Sequence, residues 1–106
     1  MTAPDRLTAM RAMVDKAPTN ALARFGLANE LLKAGEWAEA RANLERYLAG
    51  YDDEGNGWLR LGECCERLGD VAAARTAYER GIAAADRFGH PGMRADIEAR
   101  LDDLAG

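Results

Sequence analysis

Rings are scarce in this chain, with two Trp, three Tyr and two Phe among 106 residues. Alanine and leucine are abundant, so the core must be built from small side chains and Leu, which suits helices lying close together. A basic excess is also missing. Fourteen Lys and Arg stand against 18 Asp and Glu, for a net charge of −4. That balance, with no basic run in which a local patch could form, excludes a general binder of nucleic-acid backbones. Uninterrupted apolar runs are short, and none approaches the roughly 18 residues a membrane helix requires. Charges fall throughout the N-terminal stretch, and neither a signal-peptide pattern nor a lipidation signal is present, so a cytoplasmic protein is expected.

Chemistry-bearing residues are equally sparse. His90 is the one histidine, set between Gly89 and Pro91 with no Ser or Cys nucleophile nearby, and reads as a turn residue. Cys64 and Cys65 are adjacent, and neighbouring side chains on a helix diverge by about 100°, so a bond between them would distort the backbone. Two cysteines and one distant histidine cannot complete a four-ligand zinc site. Both thiols are expected to be reduced, with Cys65 facing the core. The sharper alternative is a redox or soft-metal role for Cys64. Carboxylates are many, yet they sit on solvated faces beside arginines. Glu63 and Glu66, one turn apart, could hold a cation only loosely, and nothing completes the site. No metal, no cofactor and no enzymatic activity are expected.

What the chain does have is helical periodicity. Leu7, Met10, Val14 and Ala17 recur at helical spacing after Pro4, and Pro18 ends that run. Thr19 or Asn20 supplies a cap for the next helix, which continues to about Ala34 and is apolar on more than one face. Gly35 stops it, and Glu36 opens another helix with Ala40, Leu44, Tyr47 and Leu48 as its buried stripe. The segment from Gly50 to Gly57 is the richest in turn residues. Helices are predicted from Trp58 to Leu68 and from Val71 to about Arg87, separated by Gly69 and Asp70. Pro91 opens a last helix whose apolar stripe is Met93, Ile97, Leu101 and Leu104, with a charged back.

Two of these stretches repeat. Arg24–Leu48 and Trp58–Ile82 are related by a shift of 34 positions. They share Leu27 with Leu61, Gly35 with Gly69, Ala40 with Ala74, Arg41 with Arg75, Glu45 with Glu79 and Arg46 with Arg80. A period of about 34 residues, split by a Gly-acid pair into two helix-length halves, is the mark of a helical repeat array. The expected fold is all-α, an antiparallel helix-hairpin array (an α–α superhelix) of about six helices. It forms a single domain over 1–106, with a leading helix over 4–17, repeats over 20–49 and 55–88, and a capping helix over 91–105. Ala28 is expected to face Ala40, and Gly62 to face Ala74, across their hairpins.

Trp58, Leu61, Gly62, Gly69, Asp70, Ala74 and Tyr78 together resemble the tetratricopeptide repeat (TPR). In the first repeat Leu27, Ala28, Gly35, Glu36, Ala40 and Leu44 match more loosely, and Arg24 stands where the Trp would be. Tyr47 and Gly81 stand where the family prefers Ala, and Asp52 replaces a Pro. The resemblance covers about 20–87 and implies two full units with flanking helices. It further implies a non-enzymatic protein-interaction module that receives a peptide or partner helix in a concave groove. Carried over by position, the groove set is Leu22, Phe25, Asn29, Leu32 and Lys33, then Leu59, Glu63, Glu66 and Arg67, with Asn56 at the rim. Phe25, Leu32 and Leu59 would be partly exposed there. A different outcome is that the terminal helices fold over these residues. Only Asn29 matches the set with which some members capture a peptide's carboxylate, and Glu63 and Glu66 would repel one. The partner expected is a protein or peptide, and neither nucleic acid nor membrane. Self-association, as a homodimer, is the structural alternative, and a thiol sensor at Cys64 the redox one.

Overall fold

A computed structural model describes residues 3–105, and side chains over 6–104. Six helices make up every regular element among them: α1 (Ala3–Lys16), α2 (Ala21–Lys33), α3 (Trp37–Gly50), α4 (Asn56–Arg67), α5 (Val71–Phe88) and α6 (Pro91–Ala105). The all-α repeat architecture expected from the sequence is what the chain adopts. The helices divide into two compact units, with the boundary after Tyr51. In the first unit α2 packs on α3 and on α1. In the second α5 packs on α4 and on α6.

Both hairpins turn by one device. Gly35 and Gly69 adopt φ of 75° and 78°, the left-handed region that costs a residue without Cβ nothing. The following N–H then reaches back to close the helix: Glu36 N donates to Leu31 O at 2.9 Å, and Asp70 N to Cys65 O at 2.8 Å. This Schellman closure satisfies carbonyls the helix end would otherwise leave open. The next helix starts immediately, and here the two units part. The Asp70 carboxylate accepts from Ala73 N at 3.1 Å. Glu36, expected inside the first turn, is instead the N-cap residue and makes no side-chain cap bond. Its extra methylene is the difference, since short side chains cap and longer ones do not. Between the two candidates for capping α2, the structure chooses Asn20, whose Oδ1 accepts from Ala23 N at 3.1 Å.

Three boundaries differ from the sequence reading. α1 starts at Ala3, one residue before the expected start, which puts Pro4 in the first turn, where N–H groups have no helical partner. α3 continues through Gly50, and α4 begins at Asn56, two residues before Trp58. The connector is therefore shorter than its composition suggests. Asp53 organises it: the residue is 2% exposed, and its Oδ1 accepts from Gly55 N at 2.7 Å and Gly57 N at 2.8 Å. A buried aspartate thus supplies the acceptor that the first turn of α4 needs.

The core of the first unit centres on Leu27, Ala28, Leu31, Ala40 and Leu44, and that of the second on Cys64, Tyr78, Ala85 and Ile97. Across the second hairpin the structure sets the Tyr78 ring against Gly62. A Cβ built on it would lie 2.2 Å from a ring carbon of Tyr78, far inside contact distance. The missing side chain is what lets the Tyr78 ring, 0% exposed, lie flat on α4. Cys64 and Cys65 are both buried and neither forms a disulfide. Cys64 is therefore not the accessible thiol that a peroxide sensor requires, because reactivity needs solvent access as well as thiolate character.

Candidate functional site

On α2, the five residues expected in the groove form one face by their 3- and 4-residue spacing. Leu22 stands 76% exposed. Phe25, Asn29 and Leu32 are half-buried, and Lys33 is exposed with its Nζ 3.5 Å from Glu30. Phe25 is held from below by Tyr47, with ring centroids 4.7 Å apart, and Tyr47 in turn stacks on Tyr51 at 5.2 Å. Tyr47, at a position where a small residue was expected, is thus the platform for Phe25. Tyr51 is 44% exposed, so this aromatic ladder runs from the interior of the unit to solvent.

The corresponding residues of α4 are arranged differently. Leu59, expected partly open, is buried, because its place on the helix falls on the inward side of an amphipathic segment. Glu63 is half-buried, accepts from Arg60 at 3.2 Å and forms an ion pair with Arg100 of α6 at 3.4 Å. Glu66 accepts the phenol proton of Tyr78. Desolvation, and then this bond to a carboxylate, hold the Tyr78 phenol well above its ordinary range. Arg67 is exposed, and Asn56 is half-buried as the first residue of α4. Both acids on this face are therefore engaged within their own unit, and the apolar opening lies on α2.

A second arrangement in the first unit was not anticipated. Arg24 is 7% exposed. Its Nη1 donates to Asn43 Oδ1 at 2.9 Å, and its Nη2 to the Pro18 carbonyl at 3.2 Å. Asn43 is itself anchored through Nδ2 to the Glu39 carbonyl at 3.0 Å. These groups border a cleft of about 320 Å³, lined also by Arg11, Val14, Asp15, Leu27, Glu39 and Arg46. At its rim Arg11 clasps Glu39 through two bonds of 2.7 Å. That clasp holds the Glu39 carboxyl below the usual carboxylate range and the Arg11 guanidinium above its own. A signal for this set was present in the repeat alignment. Positions 24 and 43 are polar where their equivalents, Trp58 and Ala77, are apolar, so the pair changes together.

The tetratricopeptide repeat profile matches residues 25–90, more than half of the chain. A TPR repeat-containing protein of Pseudomonas aeruginosa is 36% identical over 95 residues, which cover 90% of each chain. The chain belongs to the tetratricopeptide repeat family.

TPR proteins are in general non-enzymatic scaffolds for protein interaction. The TPR profile spans α3, α4 and α5 and the larger part of α2, while α1 and α6 lie outside it. Among the described residues, no group of three His, Cys, Asp or Glu side chains is placed to hold a metal ion. His90 is exposed; its N–H closes α5 on Ala85 O at 2.8 Å, and its carbonyl accepts from Arg94 N at 3.0 Å. It serves as a turn residue of the TPR scaffold. No helix among the described residues is long and apolar enough to cross a membrane.

Proposed function

We propose that this TPR chain is a non-enzymatic adaptor that receives a protein partner, as an extended peptide or a helix, along the first helix of its repeats. The observation that carries this reading is Leu22. It is 76% exposed and lies one turn before Phe25, whose ring rests on the buried Tyr47. A large aliphatic side chain standing in water beside a braced aromatic ring is an anchor for an apolar side chain of a partner. Asn29, Leu32 and Lys33 extend the same face and supply polar ends to it. On α4, in the second unit, Glu63, Glu66 and Arg67 give that helix a charged face of its own. Leu59 supports that face from within the core and does not touch the partner. Asn56 sits at its edge.

Leu22→Glu and Lys33→Glu test this directly, because neither side chain contributes to the core. Affinity capture is compared among wild type, these two variants and Ala83→Glu, an exposed control on α5. The expected result is loss of the same partner in both α2 variants and its retention in the control. An unchanged partner in the α2 variants overturns the assignment. A second copy of this chain is the competing occupant. Light scattering at two concentrations distinguishes it, since a mass that doubles in wild type and not in Leu22→Glu gives the face to a homodimer.

A further inference from the structure

The cleft around Arg24 belongs to a different part of the molecule from the α2 face, and its charges do not balance internally. Arg24 is a guanidinium removed from water whose bonds run to two neutral oxygens, an amide and a peptide carbonyl. No carboxylate bonds it among the described residues. A buried cation held only by neutral acceptors keeps most of its desolvation cost. Arg46, an exposed residue, lines the same cleft, so a second cation borders it. In the other unit the equivalent arginine, Arg80, lies over the Trp58 ring at 5.5 Å, where the ring's negative face receives it. Position 24 offers Arg46 no such ring and presents a like charge instead.

From this geometry we infer that the cleft is a binding site for a single carboxylate, held between Arg24 and Arg46. The carboxylate class follows from the charges and the shape of the donors. Three arginines and two acids line the cleft, and Glu39 is already clasped by Arg11 at 2.7 Å. One negative charge therefore neutralises the site. A doubly charged phosphate would leave an excess beside Asp15 and Glu39. A guanidinium presents its N–H groups as a planar fork that matches the two oxygens of a carboxylate. Val14 and Leu27 supply an apolar wall against which the carbon end of such a ligand can rest. The site is complete within α1, α2 and α3, and its ligand is independent of whatever the α2 face receives.

The test is a titration of the full chain followed by nuclear magnetic resonance of the arginine side chains and of the Val14, Leu27 and Asn43 amides. The probes are sodium acetate, a capped tripeptide with one central Asp, and its Asn analogue, each at constant ionic strength against sodium chloride and sodium sulfate. Saturable movement of the Arg24 signals with acetate, and not with chloride, is expected. The Asp peptide binding more tightly than acetate identifies a side-chain carboxylate of a partner as the source, and acetate binding alone identifies a free small acid. Arg46→Gln, an exposed substitution that leaves the core intact, should weaken acetate binding about tenfold through loss of one charge-assisted bond. Arg24→Lys should weaken it to a similar degree by removing the planar fork. No saturable response to acetate, a response equal to that with sulfate, or one unchanged in Arg46→Gln would overturn the proposal.

Discussion

The two units solve one packing problem with opposite choices at matched positions. Where the second sets Gly62 against the Tyr78 ring, the first has Ala28 and Leu44 at the matched positions, both buried: a methyl added on one helix accompanies a ring removed from the other. Where the second has Trp58 and Ala77, the first buries Arg24 bonded to Asn43. Where the second has Gly81, at which a Cβ would lie 3.0 Å from Trp58 and Ile97, the first has Tyr47 and builds an aromatic ladder. The repeat motif thus constrains the summed volume at a contact more than the identity of either residue. The second unit spends its positions on close packing. The first leaves a cleft bordered by the buried Arg24 and a Leu22 that stands 76% exposed, features from which binding can be built.

The exchange of volume between position pairs can be broken outright. Gly62→Ala should cost about 2 kcal/mol, because the new Cβ meets ring carbons that are fully enclosed. Adding Tyr78→Leu recreates the pairing of the first unit and should recover about 1 kcal/mol of the loss. Urea unfolding of the single and double variants measures both. A Gly62→Ala protein as stable as wild type would mean that the Tyr78 ring is free to move, and the comparison would fail.

A smaller effect separates Tyr78 from Leu44 chemically. Tyr78→Phe removes the bond to Glu66 and should cost about 1 kcal/mol at neutral pH. Because the folded phenol lies above its unfolded value of 10.0, its proton is held more tightly in the native state. That contribution is fully present below pH 10.0 and is lost as pH rises beyond it. Unfolding free energies followed from neutral into alkaline pH should therefore converge between wild type and Tyr78→Phe. Parallel curves would show that the phenol's proton is no better held in the folded chain.

The smallest contrast sits at the turns. Asp70→Ala removes a cap bond and should cost about 1 kcal/mol, whereas Glu36→Ala should change stability by only about a few tenths. Equal losses, read from thermal unfolding of both variants, would show that the two turns are energetically alike despite their different caps.

Much of this organisation was legible in the order of residues. Gly35 and Gly69 mark their turns because few residues other than glycine adopt positive φ without strain, and that requirement is local. The 34-residue shift revealed the hairpins because apolar periodicity is also a local property. Leu59 was misplaced for a different reason. A repeat position specifies which way a side chain points along its helix, and not what covers it. Glu63 and Glu66 lie at groove positions of the repeat, and Arg100 and Tyr78, distant in sequence, engage them. Asp53 was hidden in a stretch whose glycines suggested only a loose connector. The Arg24 cleft is hidden from the sequence because its partner Asn43 lies on another helix.

By itself the sequence determined the number and order of helices, the glycines at which the hairpins turn, and the family to which the repeat belongs. These depend on capping, glycine conformation and periodicity, which act within a few residues. Only the tertiary structure decided that Cys64 is sealed from solvent, that Tyr78 lies on a glycine, that Tyr47 braces Phe25, and that Arg24 is buried against neutral oxygens. Each of these depends on which side chains meet across helices. Burial and charge balance arise from the sum of such meetings, and no single segment encodes them.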